Sequence, residues 1–194
     1  MEEKELTNRL HGMFEQAIQA VENIRKGFMT QDRTVLEHGQ NQFAEMISSN
    51  LSFVEQTVAK IHKDEIDRKF LSALIPLQKI ASSMRSLIAK QKTVLLRDIR
   101  FNVKSVTEIT ELLTIMKTQF RDARDLIVEK DPFLRNDIKT GMEKILELVD
   151  KYSLTHHERL VTGVSTPKES YLYLDIVNSI KRIARELVDF SERL

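Results

Sequence analysis

His156, His157 and Glu158 stand consecutively in the chain, and these residue types can ligate a metal ion. Side chains one residue apart on a helix point about 100° apart, so adjacent histidines do not share one ion. They read as surface or capping histidines. No Glu-x-x-His occurs, which argues against a ferritin-like di-iron bundle. There is no His-Glu-x-x-His, no Gly-rich phosphate loop, and no serine on an elbow-type turn. With 0 cysteines there is no disulfide, thiolate metal site or thiol nucleophile, which fits a reducing compartment. The expectation is a protein that is not an enzyme, with no catalytic residues and no cofactor.

Cations are the other grouping with chemical content. Lys79, Arg85, Lys90, Lys92, Arg97 and Arg100 cluster in one part of the chain, and Lys181, Arg182 and Arg185 in another. Lys79, Arg85, Lys181, Arg182 and Arg185 are the candidate partner-binding residues. Such a set suits an anionic partner surface, a lipid headgroup face or phosphate. The alternative is a solvated helix face balanced by nearby Glu and Asp.

The elements that carry these residues are helices. From Tyr173 the apolar residues Ile176, Ile180, Ile183, Leu187, Phe190 and Leu194 recur at alternating steps of 3 and 4, a bundle-forming seam. Thr166, Pro167 and Glu169 supply a cap, a proline at the first helical position and a capping box. Lys181, Arg182, Arg185 and Glu186 lie off the seam. Shifting back by 103 residues gives Phe70, Ala73, Leu77, Ile80, Met84 and Leu87. The same offset joins Leu10 to Leu113, Met13 to Met116, Ala20 to Ala123, Ile24 to Ile127 and Leu71 to Leu174. A fixed offset across separate helices argues for an internal duplication.

With only 5 Gly and 3 Pro in 194 residues, long uninterrupted helices are expected. A first helix runs from Glu2 to Phe28, ended by Gly27 and Thr30–Asp32. A second spans Arg33 to His62, with Leu36, Phe43, Met46 or Ile47, Leu51, Val54, Val58 and Ile61 on its face. Gly39 costs it about 1 kcal/mol against alanine. A turn at His62–Glu65 precedes a third helix, Glu65 to Lys92, kinked at Pro76. No Gly or Pro separates Pro76 from Pro132, so the third and fourth helices are expected to run on with a bend near Lys92–Arg97. The fourth reaches Val128. Asp131 and Pro132 open the fifth, which runs to Val161 with an irregularity near Tyr152. Met13, Met46, Met84 and Met116 fall on seams and read as core. The fold expected is all-α: six long helices as a tandem duplication of an antiparallel three-helix bundle, with repeats at residues 1–92 and 93–194.

The 30 basic and 29 acidic residues leave a net charge of +1, so a global field for nucleic acid is absent. The longest apolar runs are too short to span a bilayer. The acidic start, MEEKELTNRL, does not read as a signal peptide.

The segment His157-Glu158-Arg159-Leu160, Gly163, Ser165-Thr166-Pro167, Tyr173-Leu174-Asp175 and Arg182-Ile183 resembles the closing part of PhoU-family domains, especially those attached to sodium/phosphate cotransporters. The first helix, with Leu10, Met13 and Ala17, is similar to the family's opening segment. The resemblance implies a regulator or accessory domain of phosphate uptake. Its partner would be a phosphate transporter or a phosphate-sensing kinase. It would be cytoplasmic, as a free protein or as the cytosolic domain of a membrane protein, with peripheral membrane association through the transporter and homodimer formation both open to it. The runner-up reading is a helical-bundle scaffold or adaptor unrelated to phosphate. Many family members hold a metal cluster on a Glu/Asp-x-x-x-Asp pattern in the third helix of each repeat. Here those positions are Gln78 and Ser82, then Lys181 and Arg185. Lysine and arginine have no lone pair for a cation at neutral pH, so no cluster is expected there.

Overall fold

The computed structural model describes residues 3–30, 32, 34, 35, 37–39, 41, 42, 44, 45 and 65–194. The elements are α1 (Glu3–Thr30), α2 (helical at 34, 35, 37–39, 41, 42, 44 and 45), α3 (Glu65–Leu96), α4 (Val103–Glu129), α5 (Pro132–Val161) and α6 (Pro167–Arg193). Among the described residues there is no strand. The expected face of the second helix, the turn residues His62–Asp64 and the side chains of Phe70 and Leu71 lie outside the described residues.

Helix starts follow local chemistry. Asn102 accepts from the Ser105 amide at 2.9 Å and opens α4. Asp131 accepts from the Phe133 amide at 2.9 Å, with Pro132 next, and opens α5. Thr166 and Glu169 form a reciprocal capping box: the Glu169 amide donates to Thr166 at 3.3 Å, and the Thr166 amide donates to the Glu169 carboxylate at 2.7 Å. Each satisfies amides that a helix terminus leaves without partners.

Three expectations are corrected. The first helix does not stop at Phe28 but reaches Thr30, with Gly27 buried inside it. The third and fourth helices do not run on. α3 ends at Leu96, a turn follows at Arg97–Asp98 with Asp98 at φ 47°, and Asn102 restarts the chain as α4. The chain needs no Gly or Pro here, because aspartate tolerates the left-handed region and asparagine caps well. The buried Pro76 lies inside α3. α5 is continuous through Tyr152.

α1 runs antiparallel to α4, and α3 to α6. Glu15 meets Arg124 at 2.6 Å and Glu22 meets Lys117 at 2.9 Å between α1 and α4. Lys79 meets Glu186 at 3.4 Å and Lys90 meets Asp175 at 2.6 Å between α3 and α6. In both pairs the numbers rise along one helix as they fall along the other. α5 lies against α4 and α6, and α4 also touches α6. The Arg25 guanidinium, with Lys117, holds the Glu22 carboxyl down at about 2.

The core is one continuous cluster fed by α1, α3, α4, α5 and α6, so residues before and after position 92 share it. Positions 103 apart are buried alike: Leu10 with Leu113, Ala20 with Ala123, Ile24 with Ile127, Ala73 with Ile176, Ile80 with Ile183, Met84 with Leu187, and Leu87 with Phe190. Met13 and Leu77 are half-buried where Met116 and Ile180 are fully buried. Gly39, a cost to α2 taken alone, sits where a Cβ would come within 3.1 Å of the Asn23 Cβ on α1. Its bareness permits that approach, and Asn23 donates to Gln42 at 2.6 Å beside it.

Candidate functional site

On α6 the seam faces inward and fixes where the off-seam cations go. Lys181 is half-buried and meets Asp150 of α5 at 3.2 Å. Lys79 of α3 meets Glu186. Arg182 and Arg185 are exposed on the outer face of α6, with Arg182 donating to the Ser179 hydroxyl at 3.2 Å. Arg85 is exposed on α3, but six residues beyond Lys79 it lies about 120° round the helix from it. Lys79 is on the flank turned to α6 and Arg85 is not. The structure thus brings Arg182 and Arg185 together, neutralises Lys79 and Lys181 with carboxylates, and leaves Arg85 on a separate flank. The candidate partner-binding residues are divided among these places. The family's metal positions are placed likewise: Gln78 and Ser82 are exposed. Among the described residues, no three His, Asp or Glu groups converge as they would around a metal ion.

A second constellation is buried. Glu108 of α4 receives both arms of the Arg159 guanidinium, at 2.9 and 2.7 Å. Its second oxygen also accepts from the Tyr173 hydroxyl of α6 at 2.6 Å. The His156 ring lies flat on the Tyr173 ring, centroids 4.2 Å apart at 15°, and its Nδ1 is 3.3 Å from Arg159. Nearby, the Tyr152 hydroxyl donates to Glu111. Charge and hydrogen bonds both compensate the hydration that the Glu108 side chain gives up in the core. Burial pushes the Tyr173 hydroxyl pKa up, and donation to Glu108 adds to this. The cluster ties α4, α5 and α6 together.

Sequence reading placed His156 at the surface; it is fully buried. His157 keeps the surface role, with Nδ1 2.7 Å from the Ser153 carbonyl. Burial first, then the Arg159 charge and His157, push the His156 pKa down against the pull of Glu108 and Glu169. Its folded value is below the unfolded 6.5, so this contribution to stability is complete above about pH 6.5 and is lost as pH falls. His156→Phe, which retains the ring stack, should gain on the native chain as pH is lowered from 7 to 5. Urea unfolding at both pH values checks this; parallel losses would refute it.

Glu108 was missed, although a signal existed. It lies on the stripe that continues through Leu112 and Met116, and an acid on an apolar stripe calls for a buried cation.

Two concavities lie near this end of the bundle. One, about 150 Å³, is bordered by Phe28, Gln91 and Phe101. Gln91 is fully buried and its amide has no partner. The other, about 500 Å³, is an open groove between Lys90, Thr93 and Arg97 of the α3 end and Lys168 and Tyr171 of α6. No family model, no curated protein and no solved structure matches the chain.

Proposed function

We propose that the chain is a PhoU-like regulator or accessory domain of phosphate uptake, a tandem of two three-helix units acting by contact on a phosphate transporter or its sensor kinase. The observation that carries this reading is the equivalence of positions 103 apart. α3 lies along α6 and α1 along α4, with matching residues buried in each pair. The segment that resembles the family supplies contacts of consequence. Arg159 and Tyr173 hold Glu108, and Asp175 holds Lys90. Ser165 accepts from the α4 cap Asn102 at 3.1 Å.

The contact surface is the outer face of α6 at Arg182 and Arg185. Both are exposed, so reversing them leaves the core intact. Arg182→Glu/Arg185→Glu should weaken capture of the transporter at least about tenfold, because like charges set against each other at an interface cost several kcal/mol. A pull-down with the double variant checks this, and undiminished capture excludes the face. The broader test is co-purification with a phosphate transporter or sensor kinase, together with altered phosphate uptake on deletion. The separation of Arg85 from Arg182 and Arg185 favours the second reading, a helical scaffold or adaptor unrelated to phosphate; normal uptake after deletion would select it.

A further inference from the structure

The described residues include ten large apolar side chains that are exposed, and six of them, Met29, Leu96, Val103, Val161, Val164 and Tyr171, sit at one end of the bundle. Contacts join these elements there. The Phe101 ring is 6.5 Å from Phe28, next to Met29, and 6.4 Å from Tyr173. Asn102, next to Val103, donates to Ser165, next to Val164. Val103 is 84% exposed and Val161 87%, so neither is covered by the described residues.

Cations stand between them. Arg97, Arg100, Lys104 and Lys168 are exposed on the α3–α4 turn and the first turns of α4 and α6. Only Arg100 has an acidic partner among the described residues, Asp98 at 3.7 Å. Lys90 is spent on Asp175, and Glu169 is turned to the Thr166 amide in the capping box. Among the described residues Arg97, Lys104 and Lys168 are thus left without an acidic partner at this end, where exposed Asp32 and Glu158 also lie. The α4–α5 turn at the far end carries exposed Glu129 and Lys130 and half-buried Asp131.

From this juxtaposition we propose that the end of the bundle formed by the α3–α4 and α5–α6 connections docks on an anionic lipid bilayer. Arg97, Lys104 and Lys168 would hold it to the phosphate layer while Leu96, Val103, Val161 and Val164 enter the acyl boundary. A juxtaposed Lys or Arg gains about 1 kcal/mol at such a surface, and shallow apolar insertion adds to that. The apolar groups are separate points on the tips of several elements. A fluid interface accepts separate points, whereas a protein partner needs a contiguous buried patch. Nucleic acid would favour a row of aromatic platforms, and Tyr171 stands alone.

The inference is independent of any role in phosphate uptake, and its test contains no transporter. The whole chain is mixed at low salt with vesicles of phosphatidylcholine, or of phosphatidylcholine with phosphatidylglycerol, and sedimented. The chain has 0 tryptophans, so Val164→Trp gives a single reporter in the exposed turn. Expected are sedimentation with the anionic vesicles alone, a blue shift of the tryptophan on binding, and loss of both as salt is raised. Arg97→Glu/Lys104→Glu/Lys168→Glu should reduce the partition roughly a hundredfold, three cations each giving a factor of several. Val103→Ser/Val161→Ser should reduce it several-fold while salt sensitivity remains. Circular dichroism verifies that the variants, all at exposed positions, stay folded. Equal binding to neutral vesicles, no binding to anionic ones, no blue shift, or an undiminished charge-reversed variant overturns the proposal.

Discussion

Arg159→Met should lower the stability of the chain by about 3–5 kcal/mol, the range for removing one partner of a buried ion pair. The loss comes from what is left behind more than from what is removed. Glu108 is 3% exposed and would retain only the Tyr173 hydroxyl, so its charge would face the core uncompensated. In a chain of this size the loss corresponds to a fall of about 10 °C in Tm. Removing the polar set together, in Glu108→Leu/Arg159→Met/Tyr173→Phe, should recover most of the loss, since well-packed apolar groups commonly replace a buried pair at little net cost. Thermal and urea unfolding of the single and triple variants measure both. A single variant within about 1 kcal/mol of the native chain would mean that water reaches Glu108 and that the cluster does not lock α4, α5 and α6.

Phe14→Ala should also cost about 3–5 kcal/mol, the usual loss for truncating a buried aromatic. Phe14 is 2% exposed, with its ring centroid 4.9 Å from Phe190 and 5.9 Å from Phe120. It joins α1 to α4 and α6, so the cavity would open where the two halves of the chain meet. Because the core is continuous, the variant should unfold in one transition, shifted as a whole, by both calorimetry and circular dichroism. Two resolved transitions, with only one displaced, would show that the halves are separately stable bundles.

Much of the fold was legible because the information is local. Periodic apolar spacing marks α1, α3, α4 and α6, and Asp131, Pro132, Thr166 and Glu169 mark helix starts by bonds that span two or three residues. The break between α3 and α4 was not legible. No Gly or Pro announces it, and Asp98 adopts its left-handed conformation in a turn that the packing of Phe101 against Phe28 and Tyr173 holds in place. The cation sites were legible as charge but not as surface. Which lysines meet carboxylates depends on helix rotation and neighbours, so Lys79 and Lys181 proved to be paired while Arg182 and Arg185 have no carboxylate partner among the described residues.

Residue order alone determined that this is a helical protein, where several helices start, and which stripe of each turns inward, since each depends on groups within about one turn of each other. Only the tertiary structure decided that Glu108, Arg159, His156 and Tyr173 share one buried site, and that the bundle has an apolar, cationic end. Glu108 is 51 residues from Arg159 and 65 from Tyr173. No periodicity connects such distances; they close only when the packed helices bring the start of α4, the end of α5 and the start of α6 together.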